Sequence, residues 1–211
     1  MRRAIQGAFL AAVLLGFTPV GQLHASQVVH RTMADLIDLS EHILLGDVVS
    51  LSDGFDRSGY PFTEVTLSVR ESMKGSTASQ YTFRQFGLLE PKTLSDGQVY
   101  AGVSPEGWPQ FVIGETVMVF LYVAGNETGF RTTVGLSQGK FTIVDGSATN
   151  AIGNRGLFQN LVLDERAVSK ETKKLMQSQS GPVNARTLAG FVKKAVVDNW
   201  IEKGALRYEN R

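Results

Sequence analysis

An alternation of apolar and polar residues over 62–73 constrains the fold of this chain more than any other feature. A period of two places every second side chain on the same face of a strand, so this segment is predicted to be a half-buried β-strand. A strand with one apolar face needs neighbouring strands and a core beneath it. The apolar positions are Val65, Leu67 and Val69, and the polar positions between and beside them are Glu64, Thr66, Ser68 and Arg70.

Six further segments have the composition of strands and are separated by turn residues. Short strands joined by hairpins favour an antiparallel sheet that closes on itself, because closure removes the exposed edges. We therefore predict a small antiparallel barrel that resembles the oligonucleotide/oligosaccharide-binding (OB) type, with a β-sandwich as the alternative. The six segments are 43–51, 80–86, 116–123, 130–134, 139–144 and 148–152, of which 116–123 is apolar almost throughout, as in a central strand.

Helical patterns flank this β region, so the predicted fold class is mainly β with an α+β arrangement. Thr32 and Asp35 form a Thr-x-x-Asp capping pattern ahead of a short helix at 33–42. A charged helical stretch follows at 165–179, and a stronger helix at 184–203 begins with a capping asparagine. Apolar residues of this last helix recur at spacings of three and four, which predicts that one face docks on the outside or the open end of the β body.

The first 25 residues have the pattern of a secretory signal peptide. Arg2 and Arg3 precede an uncharged apolar run at 8–17 that is too short to span a bilayer comfortably, and the small residue Ala25 comes before Ser26. We predict cleavage between Ala25 and Ser26 and a product in the periplasm or the medium, with an uncleaved anchor as the alternative. The predicted division of the chain is a signal peptide at 1–25, a β-barrel domain at 26–163 and a C-terminal helical extension at 164–211.

None of the 211 residues is cysteine, which excludes disulfides, thiolate nucleophiles, iron–sulfur clusters and cysteine-ligated zinc. After the predicted cleavage only His30 and His42 remain as histidines, and the sequence has no Gly-x-Ser-x-Gly motif. Asp53 and Asp56 lie in a glycine-rich turn, which has too few carboxylates for a calcium site. We predict no cofactor, no metal site and no catalytic residue. The alternative is an exported hydrolase that uses carboxylates or His42.

Charge is distributed unevenly along the predicted mature chain. Residues 26–164 contain 9 basic and 15 acidic groups, whereas residues 165–211 contain 10 basic and 5 acidic groups. Nucleic acid is an unfavourable partner because the acidic β region would repel phosphates. The basic C-terminal segment allows attachment to a membrane surface or a polyanion, but a helix that folds back on the body or a solvated helix face is the favoured interpretation.

Four stretches within 34–144 together resemble a group of uncharacterised exported bacterial β-barrel proteins: ADLIDLSEHILLGDVVS, TEVTLSVRESMKG, PQFVIGETVMVFLYV and VGLSQGKFTIV. This resemblance implies architecture and export only, since no activity is established for that group. The same pattern is similar to netrin-like and tissue-inhibitor-like barrels. Those inhibitors act through an N-terminal cysteine, so their mechanism is excluded for this chain.

The proline- and glycine-rich connection at 87–111 is the strongest candidate for function, because long loops in compact domains are often binding sites. Trp108 and Phe111 flank a proline and offer aromatic area at a low ordering cost. Tyr60, Phe62 and Tyr100 are candidate neighbours. We predict a non-enzymatic binding module that uses this loop to contact a protein or glycan of the cell envelope. The alternative role of these rings is to attach the loop to the core.

Overall fold

A computed structural model describes residues 29–75, 79–164 and 169–209. The predicted signal peptide and its cleavage position lie outside these residues. Three α-helices, one 3₁₀ helix and eleven strands make up the described chain. They are α1 (Met33–Leu39), β1 (His42–Phe55), β2 (Pro61–Lys74), β3 (Gln80–Phe86), β4 (Lys92–Thr93), β5 (Val99–Tyr100), β6 (Thr116–Leu121), the 3₁₀ helix (Leu136–Gly139), β7 (Lys140–Val144), β8 (Ser147–Asn150), β9 (Leu161–Leu163), α2 (Lys170–Met176), β10 (Val183–Asn184), α3 (Ala185–Val197) and β11 (Leu206–Tyr208).

Seven of the strands form one antiparallel sheet in the order β10-β8-β7-β6-β1-β2-β3. The apolar strand β6 is in the middle and is buried on both faces after its first residue, as its sequence predicts. Two small two-stranded sheets, β9 with β11 and β4 with β5, lie outside the main sheet. The predicted fold class, mainly β with an α+β arrangement, is confirmed.

The predicted closure into a barrel is not found among the described strands. β3 and β10 are the two ends of the main sheet and do not pair with each other. The predicted return strand at 130–134 forms one β-bridge, between Leu121 and Thr133, with backbone bonds from Val134 N–H to Phe120 O at 2.7 Å and from Tyr122 N–H to Thr132 O at 3.0 Å. On its other side the Arg131 N–H donates to Arg84 O of β3 at 2.7 Å. Beyond β6 the sheet continues into β7 and β8, and α1 and α3 cover one face of this part. Its apolar residues are therefore buried without any pairing between the two edge strands.

The 14-residue strands β1 and β2 form a long hairpin whose two strands pair with different neighbours. β6 pairs with β1 only from His42 to Asp47, and β3 meets β2 only from Phe62 to Ser68. Three register shifts interrupt the pairing of β1 with β2, and such irregularities bend a strand and increase its twist. The two ends of the hairpin therefore have different neighbours in the sheet: β6 pairs with β1 at one end, and β3 pairs with β2 at the end that carries the turn.

Each face of the sheet carries its own hydrophobic core. The first core contains α1 and α3 packed on β6, β7 and the start of β1. The second core lies against the opposite face of β1, β2, β3 and β6. The large residues of the first core include Met33, Leu36, Phe120, Phe141, Leu188, Phe191 and Trp200, and the second core consists of Leu44, Val48, Val65, Leu67, Phe83, Phe111, Val117, Val119 and Leu121.

The helices begin where their capping residues predict. Thr32 and Asp35 form the expected capping box at α1, and Asn184 caps α3 by accepting the Thr187 N–H at 2.9 Å. The last helix ends at Val197, earlier than predicted, and the chain then turns into β11. The apolar face of α3 packs in the first core. No helix of the described ranges is long and apolar enough to cross a membrane.

Candidate binding surface

The turn end of the β1–β2 hairpin, residues 49–61, and the loop 87–115 together form what we call the distal end. Asp53 joins the two segments: its carboxylate accepts the Leu89 N–H at 2.8 Å and pairs with Lys92 Nζ at 2.5 Å. Burial alone would raise the pKa of Asp53, but the hydrogen bonds from Lys92 and from the Leu89 backbone outweigh burial and lower the pKa below its ordinary value. The charged form of Asp53 is therefore the form that holds the loop.

Two buried hydrogen bonds attach both ends of this loop to the strands. The Thr63 hydroxyl donates to the carbonyl of Gly87 at 2.9 Å, and the Gln85 amide donates to the carbonyl of Pro109 at 2.9 Å. Such bonds are stable because an unpaired polar group in the same position would carry a desolvation penalty. The loop is thus fixed at its beginning and near its end.

The candidate residues Trp108 and Phe111 both contact the body of the protein. Phe111 is only 7% exposed and belongs to the second core, where its ring centroid lies 5.7 Å from that of Phe83. Trp108 is half-buried, with its ring 6.2 Å from Phe86. The two rings therefore have different aromatic partners.

The other three candidate residues have separate surroundings. Tyr100 packs edge-on against Phe55 at 5.3 Å. Phe62 lies 6.0 Å from Phe130, and the guanidinium of Arg84 lies 4.2 Å from the centroid of the Phe62 ring. Tyr60, at the tip of the hairpin, is exposed. The structure does not gather the five predicted rings into one aromatic platform.

Exposed aliphatic residues are the feature of the distal end that the sequence reasoning missed. Of the twelve large hydrophobic residues that are exposed in the described chain, seven are at this end. A signal for them was present, because valine, leucine and isoleucine occur in the loop 87–115 without the periodicity of a strand or helix. The seven are Val49, Tyr60, Leu89, Val99, Val103, Val112 and Ile113.

The loop is also acidic. Residues 87–115 contain four carboxylates and one lysine, and Lys92 is already paired with Asp53. Glu115 pairs with Lys140 at 2.7 Å in a largely buried position. The remaining loop carboxylates, Glu90, Asp96 and Glu106, are exposed. An apolar surface surrounded by negative charge is complementary to a partner with an apolar centre and a basic rim.

His42, the alternative catalytic candidate, lies at the start of β1 and away from the distal end. Its side chain is 14% exposed, its ring is 4.9 Å from that of Tyr81, and its Nδ1 atom is buried without a hydrogen-bond partner in the described chain. Gly75 faces this ring so closely that a Cβ at that position would lie 2.1 Å from Nδ1. His42 is thus enclosed by the protein.

The charged neighbours of His42 are engaged with each other. Glu41 forms a hydrogen bond and ion pair with Arg131, which also donates to the carbonyl of Tyr122 at 2.9 Å. Burial lowers the pKa of His42, and the positive charge of Arg131 lowers it further. The hydrogen bond from Arg131 lowers the pKa of Glu41.

Among the described residues, His42 has no side-chain partner at hydrogen-bonding distance. A base has to lie within hydrogen-bonding reach of a nucleophile and of an orienting acid. The distance from His42 Nε2 to Glu41 Oε2 is 3.7 Å, and no side-chain hydroxyl is hydrogen-bonded to the histidine ring in the described chain. Likewise, the described residues contain no group of three histidine, aspartate or glutamate side chains arranged to hold a metal ion.

The distal end combines a backbone fixed by hydrogen bonds, exposed aliphatic side chains and an acidic rim. Comparisons with family models, with curated proteins and with solved structures found no match. The case for function consequently depends on this geometry.

Proposed function

We propose that this protein is an exported, non-enzymatic binding module that recognises a protein partner through its distal end. The observation that carries the proposal is the concentration of exposed aliphatic residues on a loop whose two ends are hydrogen-bonded to the sheet. A loop that is already ordered loses little conformational entropy on binding, so more of the contact energy contributes to affinity. Export follows from the predicted signal peptide and is part of the proposal.

A protein partner fits this surface better than a glycan. Sites for extended polymers commonly use aromatic rings as stacking platforms, whereas Trp108, Phe111, Tyr100 and Phe62 already contact other side chains. The side chains that remain exposed are mainly branched aliphatics, which pack best against another apolar protein surface. Nucleic acid is disfavoured by the acidic rim.

We also propose that β1, β2, β3 and β6 correspond to an incomplete OB-type barrel. Its missing side would be supplied by residues 130–134, which connect β6 with β3 through the Arg131 N–H to Arg84 O bond. The second core would then be the interior of that barrel. This proposal places the distal end at one mouth of the barrel, the usual position for a binding loop.

Site-specific photo-crosslinking in the native host tests the proposed function. A photoreactive amino acid is placed at Ile113 or Val99, both exposed at the distal end, at the half-buried Trp108, and at Val197, an equally exposed position on α3. We expect one dominant protein to be captured from Ile113 and Val99 and to be absent from Val197. Equal capture from all positions, or capture only from Val197, would contradict the proposal.

The acidic rim allows a second test on the captured partner. Replacing Glu90, Asp96 and Glu106 by glutamine removes the exposed carboxylates of the loop without changing its aliphatic residues. We expect slower association and a weaker salt dependence, because rim charges act mainly on encounter rates. The matched control is Asp198→Asn at the C-cap of α3, for which we expect no change.

A further inference from the structure

The short strand β9 has one backbone edge with which no other strand of the described chain pairs, since β9 pairs with β11 on one side only. In an antiparallel pair the peptide groups alternate in direction, so those of Leu161 and Leu163 point away from β11. The Leu161 N–H already donates to the Phe158 carbonyl at 3.2 Å, which leaves the Leu161 carbonyl on the open edge. The Leu163 N–H and carbonyl have no hydrogen-bond partner within the described ranges. The bonds that establish this register are Asp164 N–H to Ala205 O at 2.9 Å and Glu209 N–H to Asn160 O at 2.8 Å.

A cleft with a volume of about 560 Å³ lies between β9 and α2. β9 contributes Leu161, Val162 and Leu163 to its wall, and α2 contributes Met176 and the aliphatic stems of its lysines. The strand wall of the cleft presents backbone groups as well as side chains. These properties match the binding sites that accept an additional strand.

The helix side of the cleft is basic. Lys170 and Lys173 line the cleft and are exposed, and Lys174 follows on the same helix, against a single acid, Glu171. None of these three lysines forms an ion pair in the described part of the chain. This charge is opposite in sign to that of the distal end, so the two surfaces suit different partners.

We propose that the cleft between β9 and α2 binds an extended, acidic segment of a partner protein by adding a short strand to the free edge of β9. The backbone of the segment pairs with the N–H and carbonyl of Leu163 and with the carbonyl of Leu161. Because side chains alternate along a strand, the acidic side chains of the segment share one face, which turns toward Lys170 and Lys173, and its apolar side chains lie on the opposite face. A segment with alternating acidic and apolar residues has the required pattern.

An anionic lipid surface would bind the lysines of the cleft but not its backbone edge. A lipid headgroup accepts hydrogen bonds from lysine and does not pair with a strand, whereas an extended acidic peptide binds both the lysines and the strand edge. The free backbone edge therefore favours a peptide segment over a membrane surface.

The proposal is tested on the full mature chain by fluorescence anisotropy. The probe is an acetylated, dye-labelled heptapeptide of alternating glutamate and valine, and its counterpart has lysine in place of glutamate. We expect binding of the acidic probe only, at least tenfold weaker in the double variant Lys170→Glu, Lys173→Glu. The control is Lys203→Glu, an exposed basic residue outside the cleft, which should bind like the unaltered protein.

Amide hydrogen exchange distinguishes strand addition from simple charge attraction. Binding of the acidic probe should slow exchange of the Leu163 amide at least tenfold and leave the Val162 amide, which faces β11, unchanged. Binding without protection of Leu163, or equal binding of both probes, would overturn the proposal.

Two further outcomes would also overturn it. One is lysine-dependent binding to phosphatidylglycerol vesicles without binding of the acidic probe, which would assign the cleft to lipid. The other is protection of Leu163 that rises with protein concentration in the absence of probe, which would assign the edge to a second copy of this chain. Neither outcome bears on the distal end, so the proposed function is tested independently.

Discussion

At Gly46 the backbone of β1 runs so close to β2 that no side chain fits. A Cβ at this position would lie 2.4 Å from the carbonyl oxygen of Ser68 and 3.2 Å from the Cα of Val69. Both neighbours are backbone atoms of a paired strand, so they cannot rotate away as a side chain would. Gly46 also lies at a register shift between the two strands, where the chain bends.

We predict that Gly46→Ala lowers the free energy of unfolding by about 1–3 kcal/mol, the usual cost of forcing extra atoms into a packed site. Gly190→Ala on α3 is the matched control, since its Cβ would meet no atom within 4 Å. The control should have an unchanged free energy of unfolding or one up to about 1 kcal/mol higher, because alanine has a higher helix propensity than glycine. Urea unfolding of both variants measures the difference, and equal stability would refute the close-packing argument.

His42 makes stability depend on pH. Its pKa is lowered in the folded protein by burial and by Arg131, so the unfolded chain binds a proton more readily than the folded chain does. Stability from this residue is therefore fully present above its ordinary pKa of 6.5 and falls as pH decreases through and below that value.

We predict that His42→Phe removes part of the stability loss seen on acidification from pH 7 to pH 5. Phenylalanine keeps the ring contact with Tyr81 and carries no proton. The reference is the unaltered protein measured under the same conditions. Thermal unfolding at several pH values provides the measurement. A profile for His42→Phe that parallels the unaltered protein would show that other groups cause the acid sensitivity.

Among the elements, α3 depends most visibly on its capping residue. The Asn184 side chain accepts both the backbone N–H of Thr187 at 2.9 Å and its hydroxyl at 3.1 Å. The helix that it starts places Leu188, Phe191 and Val192 in the first core. Loss of the cap therefore affects a helix on which the core depends.

Replacement of Asn184 by alanine should destabilise the protein by about 1 kcal/mol, the typical value for an N-cap. Ser169→Ala removes the equivalent cap of α2, because the Ser169 side chain accepts the Thr172 N–H at 3.1 Å. We expect a smaller effect there, because α2 buries only Leu175. Differential scanning calorimetry of both variants compares the caps. A larger loss for Ser169→Ala would mean that α2 contributes more to the fold than its burial indicates.

Local patterns predicted the elements best where one face of an element is buried. The structure places β3 at the predicted residues and β2 within one residue of the predicted limits at each end. Segment 130–134 has the composition of a strand but forms a single β-bridge, because β7 occupies the same edge of β6 from Thr116 to Val119. β9 and β11 have three residues each, too few for a periodic pattern to be recognised.

For the whole molecule, Asp53 connects the turn end of the β1–β2 hairpin to the candidate binding loop. We predict that Asp53→Asn speeds hydrogen exchange of the Leu89 amide, because the neutral amide loses the ion pair with Lys92 and accepts a weaker bond from Leu89. Crosslinking from Val99 should decrease in parallel, since the β4–β5 hairpin adjoins Lys92. The control is Asp47→Asn, which removes the ion pair with Arg70 on the sheet. Unchanged exchange at Leu89 would show that the loop is held by other contacts.

The candidate site was only partly predictable. The choice of the loop 87–111 came from its length and its proline and glycine content, and these are local properties. Which side chains of the loop are exposed is a tertiary property: Phe111 is buried by Phe83 of β3 and Trp108 is half-buried by Phe86, while Val99 and Ile113 have no such neighbour and are exposed. The aromatic character of a residue in the sequence therefore did not indicate whether its side chain is exposed.

The sequence by itself determined the alternation of β2, the apolar run of β6, the capped starts of α1 and α3 and the acidic character of the loop. Each of these depends on residues that are neighbours along the chain, where periodicity and capping chemistry operate. The tertiary structure alone decided that the sheet stays open and that each of its faces carries a core. Those outcomes depend on which distant surfaces bury each other, and burial energy is indifferent to separation along the chain.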